Sequence, residues 1–211
     1  MPSTIPTYLR RYTDLPALLH ILATKQITLL DPKTWDDRND SYFMALYKER
    51  KNLKTVLALC FSQTAETYHH WRVFSNGPAG VCIEFDRAAL LKAMRRVAGV
   101  KTQGIDYLTL KQAKAKGLTV AKLPFVKRVG FKPEKEFRVM YESSVQEQLS
   151  LDIPIEVACI RKVSLSPWMH SSLAASTISA IHSIDECSEL NVSRSTLISN
   201  EQWKSLGRGA S

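Results

Sequence analysis

Glu134, Glu136 and Arg138 occupy alternate positions of EKEFRVMYE, with Phe137, Val139 and Tyr141 interleaved. Residues two apart on a strand project from the same side. Two carboxylates and a guanidinium would therefore share one face, and the opposite face would anchor the strand in a core. Neighbouring carboxylates raise one another's proton affinity unless a cation intervenes, and Arg138 and the basic residues around it can supply that cation. Such a face is either a solvent-exposed salt-bridge ladder or a firmly positioned carboxylate-and-arginine site. Tyr8, Arg10 and Tyr12 form a second constellation on one side of YLRRYT, with Arg11 and Thr13 on the other. A forked guanidinium beside an aromatic ring suits a nucleotide phosphate and base, although strand-edge arginines also simply pair with acids.

Other chemistries fail on spacing. WDDRND (35–40) is rich in acids, but a calcium loop begun at Asp36 meets Arg38 at its third position. One begun at Asp37 meets Tyr42 where glycine is required. Turn formation and capping of a following helix account for these acids. His69 and His70 are adjacent, so on a helix they diverge by about 100° and cannot share an ion. HExxH, CxxC, GxSxG, Walker and GxGxxG patterns are all missing, which leaves carboxylate and arginine chemistry with no metal expected.

The elements that must position these groups follow from the hydrophobic pattern. Strands are expected at Tyr8–Thr13, over ITLLDP, over the continuous apolar run Thr55–Gln63, over VCIEFD, at Glu134–Glu142 and over IEVACIRKVSLS, and STLI is expected to close the sheet. Helices are expected after Pro16, around Tyr42–Tyr47, over AETYHHWRVF, at 87–98 and at 170–187. SNGPAG reads as a turn, the stretch with Gly104 and Gly117 has little pattern, and the tail from Trp203 reads as loose. With no repeat and no dividing linker in 211 residues, the expectation is one α+β domain over 1–211, a mixed sheet flanked by helices. Apolar residues make up 45%, against disorder, and no apolar run approaches the ~20 residues of a membrane span. Cys60, Cys82, Cys159 and Cys187 are widely spaced and mostly within apolar runs, as expected of reduced thiols in a cytoplasmic protein.

Charge is unevenly spread. Residues 87–138 carry 14 Lys/Arg against 3 Asp/Glu, so this stretch at +11 exceeds the whole chain's +9. Such a field attracts polyanions. Arg95, Arg96, Lys127 and Arg128 are the candidate nucleic-acid contacts, and a solubilising surface is the alternative. Over 87–122 only Tyr107 interrupts the basic run, so no base-stacking platform is expected there.

LLDPKTWDDRNDSYF, LALCFSQTAETYHHWRVFSNGPAGVCIEFD, LPFVKR and EKEFRVMYE, in that order, resemble the uncharacterised bacterial family called domain of unknown function 2971, over about residues 8–200. A more distant similarity is to ADP-ribosyltransferase folds. That resemblance implies NAD as substrate and Glu136 as catalytic carboxylate, with Glu134 two residues before it. It implies that Arg10 or Arg11 holds the pyrophosphate, that Ser62 lines the cofactor with Arg138, and that Tyr12 or Tyr68 flanks the nicotinamide. An oxocarbenium-like transition state would be stabilised by the fixed carboxylate. The histidine that many members carry on the first strand is absent, and Ser62 is followed by Gln63. The implied function is modification of an anionic macromolecule by a toxin or phage-defence effector, with an antitoxin as a conceivable partner. The alternatives are a non-catalytic polyanion-binding module and a metal-dependent nuclease built from Glu134, Glu136 and an acid of Asp36–Asp40.

Overall fold

The computed structural model describes residues 7–75 and 77–208. Asn76 of the expected turn and residues 209–211 of the expected loose tail lie outside them. In chain order the elements are β1 (Tyr8–Asp14), α1 (Leu15–Thr24), β2 (Gln26–Leu30), α2 (Arg38–Arg50), β3 (Thr55–Ser62), α3 (Tyr68–Phe74), β4 (Gly80–Asp86) and α4 (Arg87–Met94). They continue with β5 (Val100–Gly104), β6 (Asp106–Leu108), α5 (Leu110–Lys116), β7 (Val126–Arg128), β8 (Glu136–Ser143) and β9 (Ser150–Pro154). Last come β10 (Ile160–Leu165), α6 (Ser171–His182), β11 (Val192–Arg194) and α7 (Glu201–Arg208). The class is α+β with mixed strand pairing. Among the described residues no helix is long and apolar enough to cross a membrane, and all four cysteines are free thiols.

The chain gathers into two compact units by passing repeatedly between them, which is why no linker is visible in the sequence. Of the described residues, one unit comprises 7–9, Gln26–Thr64 and Asp86–Ile155; the other comprises Arg10–Lys25, 65–75, 77–85 and 156–208. In the first unit β3 pairs antiparallel with β8 over its whole length, from Thr55↔Ser143 to Ser62↔Glu136, and β5 covers the other edge of β8. There β2 joins β3 to β9, and β6 and β7 form a short parallel pair. The core of this unit packs Met44 and Tyr47 of α2 on Val56, Ala58 and Met140 of the sheet, with Ile105, Leu123 and Phe125. In the second unit β1 neighbours β4, β4 pairs antiparallel with β10, and β10 pairs parallel with β11. Its core includes Tyr12, Trp71 and Cys82, with Trp168 packed against them.

Local chemistry sets the boundaries. Asp14, Asp37 and Asp86 cap α1, α2 and α4 by accepting from backbone N–H groups of the first turn. Several boundaries depart from expectation. Glu134 lies in a 3₁₀ turn and Lys135 takes a left-handed backbone (φ 43°), so β8 begins at Glu136. IEVACIRKVSLS is extended only from Ile160, because Val157–Cys159 forms a 3₁₀ turn. The sheet closes on Val192–Arg194 and not on STLI, since Val163 N–H donates to the Asn191 carbonyl (2.8 Å) and sets that register. α4 ends at Met94 and α6 at His182, both earlier than expected, and residues 201–208 are helical. The segment from Val100 to Lys116 holds two strands and a helix whose exposed positions hide any apolar period.

Gly99 has φ +85°, and a Cβ there would meet the Glu142 carbonyl oxygen at 2.6 Å. Its own carbonyl accepts from Glu142 N–H at 3.0 Å, which seats β5 against β8. Gly99→Ala should therefore destabilise the protein by more than about 1 kcal/mol, measured by urea denaturation. An unchanged midpoint would show that this turn relaxes freely.

Candidate functional site: a buried carboxylate and cation cluster

Arg138 is fully buried and β8 is buried on both faces from Glu136 to Tyr141, so the open salt-bridge ladder is not what forms. Its guanidinium is saturated. Nη1 and Nη2 donate to Asp40 Oδ1 (2.9 Å) and Oδ2 (2.7 Å), Nε donates to Glu136 Oε1 (2.8 Å), and Nη1 also reaches the Pro124 carbonyl (2.6 Å). Its flat face lies over the Trp35 ring, 4.6 Å from the centroid. Lys127 supplies the second cation. Its Nζ donates to Glu134 Oε2 (2.8 Å) and Glu136 Oε2 (3.2 Å) and lies 3.6 Å from Asp40 Oδ2. The ring of Phe131 covers that ammonium at 4.7 Å.

Each member is delivered by a different element. Asp40 comes from the first turn of α2, behind the Asp37 cap; Lys127 comes from β7; Glu136 and Arg138 share one face of β8. The backbone N–H of Glu136 donates to the Tyr107 hydroxyl at 2.8 Å. Ser62 stands opposite Glu136 in register, and its hydroxyl donates to the Glu134 carbonyl at 2.9 Å. Cys60 stands opposite Arg138, and burial pushes its thiol well up.

Three carboxyls face two cations, so one negative charge is in surplus. Burial alone would raise Glu136, but Arg138 and Lys127 overcome it and hold that carboxyl below its ordinary 4.5. Burial prevails at Glu134, where Lys127 only partly opposes it, and that carboxyl is raised. Lys127 and Arg138 are both raised, because the carboxylates around them outweigh burial. Burial also prevails at Asp40 against Arg138, and that carboxyl is raised too, so of the three only Glu136 is held below its ordinary value. The space between the acids is filled by the Lys127 ammonium, and among the described residues no group of His, Cys, Asp or Glu is arranged to hold a metal ion.

The structure thus brings together Ser62, Glu134, Glu136, Arg138 and Lys127. Lys127 was expected at a phosphate, but its side chain is 8% exposed and spent on carboxylates. Arg95, Arg96 and Arg128 are exposed. So are Lys92, Lys111, Lys114 and Lys116, together with Lys122, Lys132 and Lys135. The other four basic residues of this stretch are engaged: Arg138 and Lys127 as above, Arg87 over the Phe137 ring at 4.3 Å, and Lys101 on Glu142 at 2.6 Å. Trp35 and Tyr107 are members that sequence reasoning missed, and Asp40 entered it only as one of the acids of Asp36–Asp40 in the metal-dependent alternative. Its signal in the sequence is an acid three residues after a capping acid.

Arg10, Arg11, Tyr12 and Tyr68 belong to the second unit. Arg10 pairs with Glu84 at 2.5 Å, an acid partner for a strand arginine. Arg11, on the other side of β1, is partly exposed. Tyr12 is buried against Trp71, edge to face, and stacks on His70, each at 5.3 Å. Burial raises its hydroxyl, and the neighbouring Cys82 thiol adds to the rise. Tyr68 is exposed beside Trp168, and Arg72 lies 4.2 Å over the Trp168 ring. That trio offers an aromatic and cationic surface outside the segment whose composition argued against stacking.

No family model matches this chain, so its motif likeness to the uncharacterised family finds no support there, and no curated protein matches it. Among solved structures it is similar to DarT of Thermus sp. 2.9 in complex with ADP-ribosylated ssDNA, at 13% identity and TM-score 0.46, over 90% of this chain and 94% of that one. The same protein in complex with carba-NAD+ matches at 11% identity and TM-score 0.46, over 92% and 97%. In complex with NAD+ it matches at 10% and 0.44, over 91% and 96%. At these values the likeness by itself assigns this chain neither family nor activity.

Arg138→Met should cost about 3–5 kcal/mol, because it strands Asp40 and Glu136 as buried anions. Glu134→Gln removes the surplus carboxyl and should stay within about 1 kcal/mol of the parent in urea denaturation at pH 7. Glu136, held below 4.5, contributes stability that is full above about pH 4.5 and drains as pH falls through its folded value. Glu134, held above 4.5, runs the other way: its contribution is full below about 4.5 and is lost as pH rises through its folded value. Acid loss should therefore shrink in Glu136→Gln, and Glu134→Gln should reduce the loss above pH 4.5, leaving the part that the raised Asp40 contributes. A Glu134→Gln protein as weak as Arg138→Met would place the surplus charge elsewhere.

Proposed function

We propose that this protein transfers ADP-ribose from NAD to a nucleic acid, with Glu136 as the carboxylate that stabilises the developing ribosyl cation. The observation that carries the reading is the split between two neighbouring carboxyls: Glu136 is fixed and ionised, and Glu134 beside it is raised. Environments that push two carboxyls apart divide the labour of acid and anion in glycosyl chemistry. Cleaving the bond from nicotinamide to ribose develops positive charge on the sugar, and a preorganised anion costs nothing to reorient at that moment. Lys127 is shared among three acids, so it can release one oxygen of Glu136 to a ribose hydroxyl and remain paired with Glu134 and Asp40. The exposed cations of the same unit supply the field for a polyanionic acceptor. An effector of this kind would serve as a toxin or in phage defence, and an antitoxin would be a natural partner.

The test follows nicotinamide release from NAD with single-stranded DNA present. The parent should release nicotinamide, and Glu136→Gln, shown folded by circular dichroism, should be slower by on the order of a hundredfold or more. Equal rates, or none from the parent with any strand, would refute the transfer.

A second reading is a polyanion-binding module without catalysis, and both oxygens of Glu136 being already engaged favours it. It expects strand binding that weakens steeply between about 50 and 200 mM salt and survives Glu136→Gln, with no nicotinamide released. Binding insensitive to salt would discard it.

A further inference from the structure

Beside the buried cluster, and within the same unit, lies a cavity of about 670 Å³. That volume falls in the range of about 300–1,000 Å³ typical of sites for small organic groups. Its walls are apolar, built from Leu108 and Leu110 at the entry to α5 and from Val129 and Phe131 in the turn after β7. Lys111 and Arg128 also line it, and both are exposed. Asn39, next to the cluster's Asp40, adds an amide. Gly130 lies between Val129 and Phe131, and a Cβ there would meet nothing within 4 Å.

We infer that this cavity seats one nucleotide of a single-stranded nucleic acid, its base against the Phe131 and Leu108 walls and its phosphate between Arg128 and Lys111. A base has two apolar faces and a hydrogen-bonding edge, which the walls and Asn39 match. A phosphate needs fixed cations at the mouth, and a bidentate guanidinium is the best of them. The choice of a strand over a lone nucleotide rests on what continues outside. Lys114 and Lys116 extend the basic row along α5, and Lys132 and Lys135 extend it from the other wall, all exposed. Cations on both sides of one base-sized hollow suit a chain of phosphates better than a single one. This inference rests on the reading that the acceptor is a nucleic acid; it does not require that transfer occur.

The experiment measures fluorescence anisotropy of a labelled oligothymidylate with the full chain. Gly130→Leu is the main variant, because Gly130 lines the hollow and a Cβ there starts in open space, so bulk is added to the lining without a clash at the backbone. Arg128→Ala and a distant control, Arg95→Ala, accompany it, all checked by thermal melting. Gly130→Leu should weaken binding by about tenfold or more, the loss of one stacked base. Arg128→Ala should lower the salt slope by about one, and Arg95→Ala should not distinguish the cavity. If the parent binds the strand and folded Gly130→Leu binds it equally, the cavity is not the seat and this inference falls alone. If the parent binds no strand, the nucleic-acid reading falls as well.

Discussion

A guanidinium with no exposed surface dictates how the first unit is put together. Moving such an ion out of water costs several kcal/mol even after relaxation, so every donor of Arg138 must find a partner. Asp40, Glu136, the Pro124 carbonyl and the Trp35 face meet that demand. They come from the first turn of α2, the start of β8, the turn before β7 and the loop before α2. One side chain therefore ties together segments far apart in sequence, the Asp40–Arg138 pair alone spanning 98 residues. The Met44 and Tyr47 side chains of the same α2 face then close the apolar core above it.

Lys127 solves the problem that Arg138 creates. Two acids bring two negative charges to one guanidinium, and a second cation at 2.8–3.6 Å from all three carboxyls restores most of the balance. Glu134 sits in a turn and is joined to the cluster by the hydrogen bond it accepts from Lys127. A network with more carboxyls than cations differs from a neutral structural pair. It holds Glu136 toward the ionised form while burial pushes Asp40 and Glu134 toward the protonated one, and Ser62 fixes the backbone of Glu134.

Part of this was legible in EKEFR. Alternation correctly set Glu136 and Arg138 on one face, because period two survives in any strand. It misplaced Glu134, since KPEK turns before the strand begins and Lys135 adopts a left-handed backbone. It left open whether that face was buried or exposed. Charges two apart look solvated unless their partners are known, and those partners, Asp40 and Lys127, lie on other elements. Asp40 was hidden by an adequate local explanation, that acids cap helices; Asp37 does so, which leaves Asp40 free to turn inward. The two units were illegible for a related reason: a chain that crosses between them repeatedly carries no linker to notice. β5, β6 and α5 were hidden because none of their residues is buried.

The basic stretch from 87 to 138 illustrates how far net charge misleads on its own. Four of its cations are held by carboxylates or aromatic rings, Arg138 and Lys127 in the interior, and pairing with carboxylates offsets their charge. The rest are exposed, and their effect depends on what lies behind them. Phe131 marks the boundary, one side of its ring on the Lys127 ammonium and the residue itself a wall of the cavity. Three carboxyls enclosing two cations carry one surplus negative charge when all are ionised, and that charge would oppose any phosphate brought to Arg128. Burial pushes both Asp40 and Glu134 toward the protonated form, which removes that charge, so the interior balance and the attraction at the surface are favoured by the same desolvation.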